Sequence, residues 1–188
     1  HHAGGGDVEA QAQQRGDQKA AEEEEHRDAT TAGNHIPQPA TRKEYGQGPD
    51  GAAAIVLAAE SAARAAGLKP LARLVSYASH AQAPEWFTTA PAPAMHKAID
   101  RASWKVADVD LFEINEAFAC VAMAAMQDLG LRHDQVNVNG GACAMGHPVG
   151  ATGARILTTL LYALRKHGLR RGVASQCIGG GEACAVAI

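Results

Sequence analysis

Three short stretches of the chain carry side chains that together could do acyl-transfer chemistry: an amide at Asn115, an imidazole at His147 and a thiol at Cys177. Asn115 opens NEAF, directly after the apolar run VDLFEI. His147 stands between Gly146 and Pro148 inside VNVNGGACAMGHPVGATGARIL (136–157). A proline fixes its own φ and keeps the residue before it out of the helical region, so this histidine is expected on a stiff loop. Cys177 precedes Ile178 and the glycines 179–181, whose backbone N–H groups suit a developing oxyanion. Each residue also has a plainer role open to it. Asn115 is a good helix N-cap with Glu116 in the first turn, a lone loop histidine is often structural, and cysteines are among the most buried residues. An amide, an imidazole, a thiol and a donor nest, each following an expected strand, make the combined catalytic reading worth testing.

The elements that must position these groups are legible from periodicity and punctuation. Ala52–Ala59 (AAAIVLAA) reads as a short buried strand, Ser61–Ala66 as a helix stopped by Gly67, and Leu71–Ala78 as a second strand. Pro84–Pro93 reads as a loop, and Pro93 suits the first turn of a helix that presents Met95, Ile99 and Ala102 on one face. Val109–Ile114 is a third strand, followed by a helix Glu116–Leu129 ended by Gly130. Val136–Asn139 looks like the end of a central strand. After the histidine loop, Ile156, Leu157, Leu160, Leu161 and Leu164 form the apolar stripe of a helix stopped by Gly168. Gly172–Gln176 and Ala183–Ile188 then form a hairpin-like pair of strands. Strands alternating with helices predict an α/β fold, a mixed and mostly parallel sheet with packed helices.

Length and charge bound the reading further. The 188 residues suffice for one domain with a real core plus a tail. Residues 1–45 hold nine acidic and five basic side chains and almost no large apolar ones, so they are expected to be a solvated, disordered acidic tail. Residues 46–188 are the expected folded domain. A mildly acidic net charge of −3 gives no support for nucleic-acid binding, and no apolar run approaches a membrane span. The opening His1-His2-Ala3, without an initiator methionine or signal-peptide core, suggests a fragment or an altered reading frame. The four cysteines form no CxxC pair, and a zinc site built from Cys177, Cys184 and two histidines matches no known spacing, so no metal is expected. A reducing compartment, most simply cytoplasm, fits this cysteine usage.

NEAFA at 115–119, NVNGGACAMGHPVGATGARIL at 137–157 and CIGGGEA at 177–183 resemble the C-terminal half of the thiolase family. The likeness extends from about Asp50 to Ile188 and is greatest to its acetyl-CoA acetyltransferase and 3-ketoacyl-CoA thiolase branch. It implies an acyl-CoA acyltransferase half that cleaves or condenses 3-ketoacyl-CoA and acetyl-CoA through a cysteine thioester. In that scheme His147 deprotonates the nucleophilic cysteine and helps hold the thioester oxyanion, and Asn115 positions a water in the same hole. Cys177 is the acid/base at the substrate α-carbon, with its thiolate favoured by the glycine N–H groups, and the Gly179 N–H serves a second oxyanion hole. The resemblance implies no covalently bound cofactor; coenzyme A thioesters are substrates. The acylated cysteine belongs to an N-terminal half with no counterpart here, and Cys120, Cys143 and Cys184 read as filler. Thr31-Ala32-Gly33-Asn34 is family-like, but residues 35–49 replace the stretch that bears the CoA-contacting serine, so no CoA-binding residue carries over. The implied partners are acyl-CoA or CoA, a thiolase N-terminal half and, in the complete enzyme, further copies of the subunit. The alternative is an inactive remnant or an interaction module.

Overall fold

The computed structural model describes residues 49–188; the acidic segment 1–45 lies outside the described residues. In chain order the elements are α1 (Glu60–Ala65), β1 (Ser76–Ala81), α2 (Pro91–Arg101), β2 (Leu111–Ile114), α3 (Ala119–Leu129), α4 (Ala142–Met145), α5 (Thr152–His167), β3 (Gly172–Cys177) and β4 (Glu182–Ala187). The strands form one sheet in the order β1-β4-β3-β2. The β2–β3 pair is parallel, whereas β3–β4 and β1–β4 are antiparallel. The fold is thus α/β with a mixed sheet, as expected, but its parallel share is smaller than the alternation of strands and helices suggested. The hairpin return of β4 and the pairing of β1 on its far side account for the difference.

Strand alternation divides the core between the two sheet faces. Phe112 and Ile114 of β2 join Met95 and Ile99 of α2 and Val121 of α3 on one face. Leu111 joins Ile156, Leu160 and Leu164 of α5 on the other. Burying such side chains stabilises the fold by about 1.5–3 kcal/mol each. Helix α5 packs so closely on β3 that a Cβ at Gly172 would lie 2.7 Å from Leu160 Cδ1. Helices α3 and α5 end where expected, with Gly130 and Gly168 in the left-handed conformation at φ 66° and 68°.

Four expectations about elements are corrected. Ala52–Ala59 is not a buried strand: it has no regular secondary structure, is exposed and lies outside the sheet. The second strand lies at Ser76–Ala81, several residues later than expected, because only there does the chain run beside β4. Pro84–Thr89 is a 3-10 helix and not an open loop. Val136–Asn139 makes a single bridge, Phe112 to Val136, before Asn137 turns to φ 47°.

Candidate active site

Because β2 and β3 are parallel, their C-terminal ends lie at the same edge of the sheet, where the functional groups of open α/β sheets commonly gather. Asn115 continues β2 by one residue, its N–H bonding Ser175 O at 2.9 Å. It is 1 % exposed and does not cap α3, which begins later with Phe118 at the N-cap position. The capping role expected of Asn115, and the first-turn place of Glu116, are therefore corrected. The Asn115 amide instead faces the histidine: its Nδ2 lies 3.3 Å from His147 Nε2.

The other side of the ring fixes its tautomer. Thr152, fully buried at the start of α5, donates its hydroxyl hydrogen to Pro148 O at 2.9 Å. Its oxygen then accepts from His147 Nδ1 at 2.6 Å. With the proton on Nδ1, Nε2 carries the lone pair and points to the Asn115 end. Burial first, and then the positive charge of Arg155, hold the ring below the ordinary histidine pKa. At neutral pH His147 is an unprotonated base. The loop that carries it is braced from outside: a Cβ at Gly146, which has φ 89°, would lie 2.5 Å from Pro49 Cγ. Gly51 meets Pro148 in the same close way, at 2.8 Å.

Two residues that sequence reasoning missed lock the end of β2. The Asn137 side chain accepts from the Ile114 N–H at 2.8 Å and donates to Ile114 O at 2.9 Å, occupying the place of a neighbouring strand. The same amide donates to Glu116 Oε1 at 2.9 Å, and Glu116 Oε2 accepts from the Cys143 N–H at 2.9 Å. Burial alone would raise the Glu116 carboxyl, but these hydrogen bonds and Arg155 hold it below its usual range. A Cβ at Gly141 would lie 2.2 Å from Glu116 Cδ, so that glycine makes room for the carboxylate.

Cys177 ends β3 at the same edge but turns to the α2–α3 face, half-buried against that core. No hydrogen bond joins it to His147 or Asn115 among the described residues. Burial pushes its thiol up; a backbone hydrogen bond opposes this, and Cys120 reinforces it. Burial thus acts against the thiolate expected from the glycine turn. The turn itself uses some donors internally, with Gly181 N–H bonding Ile178 O at 3.1 Å and Ile178 N–H bonding Glu182 O at 2.7 Å. The Gly179 N–H has no main-chain acceptor among the described residues, and the space beside its Cα is open.

Cys143 is exposed beside Glu116, and burial and that carboxylate raise its pKa. Cys120 is exposed and Cys184 half-buried. Among the described residues no group of three or more His, Cys, Asp or Glu side chains is placed to hold a metal ion, and no helix is long and apolar enough to cross a membrane.

Residues 68–188 match the family model described as thiolase, C-terminal domain. The chain is 52 % identical over 139 residues to the acetyl-CoA acetyltransferase of Allochromatium vinosum, covering 74 % of this chain and 35 % of that protein. It is 50 % identical to the cytosolic acetyl-CoA acetyltransferase of Mus musculus, with the same coverage of each. Among solved structures, the Bacillus anthracis acetyl-CoA acetyltransferase superposes with TM-score 0.66 at 44 % identity, covering 68 % of this chain and 32 % of that one. Human mitochondrial 3-ketoacyl-CoA thiolase superposes with TM-score 0.67 at 42 % identity, over 69 % and 33 %. The chain spans about a third of the length of the curated relatives it matches.

Proposed function

The chain belongs to the thiolase family, and on that premise we propose that it supplies the C-terminal half-site of an acyl-CoA acyltransferase. The reaction is thiolytic cleavage of a 3-ketoacyl-CoA, or the reverse Claisen condensation of acetyl-CoA units. A thiolase N-terminal half provides the cysteine that carries the acyl group, and the complete enzyme works as an oligomer in the cytoplasm. The observation that carries this reading is the His147 ring held between Thr152 and Asn115, with the Nε2 lone pair directed at the Asn115 amide.

In cleavage, Nε2 takes the proton of the incoming nucleophilic thiol, and the resulting thiolate attacks the 3-keto carbonyl. The Asn115 amide, beside Nε2, orients a water in the oxyanion hole. As the bond between the α- and β-carbons breaks, the electron pair stays on the leaving enolate. The Cys177 thiol donates its proton to the α-carbon of that enolate, releasing acetyl-CoA. Burial keeps this thiol protonated, as the donor must be before the enolate forms. The Gly179 N–H holds the enolate oxygen. CoA then gives its thiol proton to the Cys177 thiolate, and its sulfur attacks the acyl-enzyme carbonyl. The thioester bond to the nucleophilic cysteine breaks, that cysteine recovers its proton from His147, and the shortened acyl-CoA leaves. Removing one oxyanion-hole donor typically costs about two to three powers of ten in rate.

A second reading is favoured by one observation: Val56 and Leu57 are 93 % and 74 % exposed in an irregular run outside the sheet. It is a catalytically silent thiolase remnant that serves as an interaction module. Acetoacetyl-CoA thiolysis separates the two, measured on the purified chain alone and mixed with a separately expressed thiolase N-terminal half. Activity in the mixture only, with Cys177→Ala abolishing turnover yet permitting acylation of the nucleophile, is the expected result. Folded protein with no activity in the mixture leaves the interaction module standing.

A further inference from the structure

Asn115 and Glu116 are consecutive, yet their side chains reach in different directions from the end of β2. The Asn115 amide meets His147, its Nδ2 lying 3.3 Å from Nε2. The Glu116 carboxylate meets the segment 137–146, which leads to that histidine, at two points. Its Oε1 accepts from Asn137 Nδ2 at 2.9 Å, and Asn137 in turn holds both main-chain groups of Ile114, the residue before Asn115. Its Oε2 accepts from the Cys143 N–H at 2.9 Å, in the first turn of α4. That short helix closes with the Gly146 N–H on Ala142 O at 2.7 Å, and His147 follows directly. One carboxylate thus ties the strand end that carries Asn115 to the helical turn that carries His147. Hydrogen bonds to an ionised carboxylate are roughly twice as strong as neutral ones. The fit is also close: the three atoms nearest to a Cβ built at Gly141 are the Glu116 carboxyl carbon and its two oxygens, and all three would clash with it.

We propose that Glu116 is a positioning residue for the reaction: by bridging Asn137 and α4 it holds the Asn115 amide and the His147 ring at the separation where the amide meets Nε2. At 3.3 Å that contact stands at the outer reach of a hydrogen bond, so a small displacement decides whether it is made. Thr152 fixes which way the ring faces; Glu116 fixes how far the ring stands from Asn115. The carboxylate bonds to neither group itself. Each of its hydrogen bonds ends on the segment that leads to His147, and the Asn137 bond continues to the strand that carries Asn115. Gly141 belongs to the same device. Its φ of −107° is extended backbone that any residue adopts, so the demand for glycine there comes from the carboxylate and not from the chain. This inference rests on the reading of His147 and Asn115 as catalytic groups and deepens it by naming what sets their spacing.

The test is NMR of the full chain labelled with ¹⁵N-histidine, with the ring neutral. The His147 signals are assigned by comparison with His147→Gln among the nine histidines, and Asn115→Ala gives the Nε2 resonance of a ring without the amide. An accepted hydrogen bond moves a bare imidazole nitrogen to lower frequency, so the unmodified chain is expected below Asn115→Ala. Glu116→Gln keeps the shape but replaces one acceptor oxygen by a donor, and Gly141→Ala pushes an intact carboxylate aside. In both, the resonance moves toward its Asn115→Ala position while the Nδ1–H tautomer stays. Gly141→Ala added to Glu116→Ala moves it no further, because the obstacle is gone. A merely structural carboxylate would lower the melting temperature and leave the resonance in place. An unmoved resonance in either folded variant, or a further shift in the double variant, therefore overturns the proposal. Where one variant fails to fold, the other is read alone; loss of fold in both overturns the positioning role. In the mixture with an N-terminal half, Glu116→Gln is expected to lower kcat by about 10²-fold with KM little changed, and an unchanged kcat overturns the proposal too. An inactive mixture with the unmodified chain would overturn the acyl-transfer reading alone, whereas an unmoved resonance beside an active mixture would overturn this one alone.

Discussion

Glu113 is 1 % exposed on a strand otherwise made of Leu, Phe and Ile, and its ionisation must leave a mark on stability. Burial pushes its carboxyl from 4.5 to about 7, against the pull of Arg155 and with reinforcement from Glu116. A carboxyl whose folded-state pKa is raised stabilises the fold fully below its unfolded value and loses that contribution as pH rises through the folded one. Between pH 4.5 and about 7 the folded chain should therefore lose about 3 kcal/mol from this group. Glu113→Gln, which cannot ionise, should flatten that decline. Urea unfolding at stepped pH checks it, and a decline that persists in the glutamine variant would assign the slope to another group. His147 acts in the opposite sense. Its depressed pKa adds stability above the unfolded histidine value and loses it as pH falls through the folded one. Glu113 and His147 thus pull the pH profile in opposite directions.

At the scale of elements, the β3–β4 turn distinguishes a glycine needed for geometry from one that leaves room for chemistry. Gly181 has φ 96°, and a Cβ there would lie 2.2 Å from Gln82 O, a main-chain atom with little freedom to yield. Gly181→Ala should cost roughly 1–3 kcal/mol for the backbone alone, with the contact adding to it. The melting temperature should fall by roughly 2–4 °C per kcal/mol. Gly179→Ala, with open space around it, should stay within about 0.5 kcal/mol of the parent. Equal losses in thermal unfolding would show that the turn is not held by the Gln82 contact. These glycines, like Gly146-His147-Pro148, were legible in the sequence because glycine and proline constrain the chain locally wherever they stand. The stops of α3 and α5 were legible for the same reason, and so was the apolar stripe of α5. The plainer reading of Asn115 as a cap was open because one side-chain type serves equally as a helix cap and as a buried amide, and only the neighbouring His147 decides between them. Thr152 and Asn137 escaped notice because their partners lie on other elements. The run Ala52–Ala59 was misread because its apolar residues look the same whether or not another strand lies alongside.

That run also governs the behaviour of the whole molecule. From Gly51 to Ala58 no main-chain group pairs with another among the described residues, and Ile55, Val56 and Leu57 are 39 %, 93 % and 74 % exposed. An exposed apolar segment with unpaired N–H and C=O groups is a template for strand pairing between molecules. Burying its side chains against a second copy would also remove apolar surface from water. The chain at high concentration should therefore associate through this segment. Val56→Lys places a charge where the side chain touches almost nothing, so the melting temperature should hold while association falls. The expected change in stability is within about 0.5 kcal/mol. Sedimentation velocity across a concentration series, with thermal unfolding in parallel, reads both quantities. A drop in association at constant melting temperature would assign the contact to the run. Unaltered association would place it elsewhere on the surface, and a fall in melting temperature would mean that the run is part of the core after all. The pairing argument depends on main-chain groups as well as side chains. For that reason Val56→Pro, which removes one donor and adds no charge, should also weaken association; if lysine does so and proline does not, the contact is made by side chains alone.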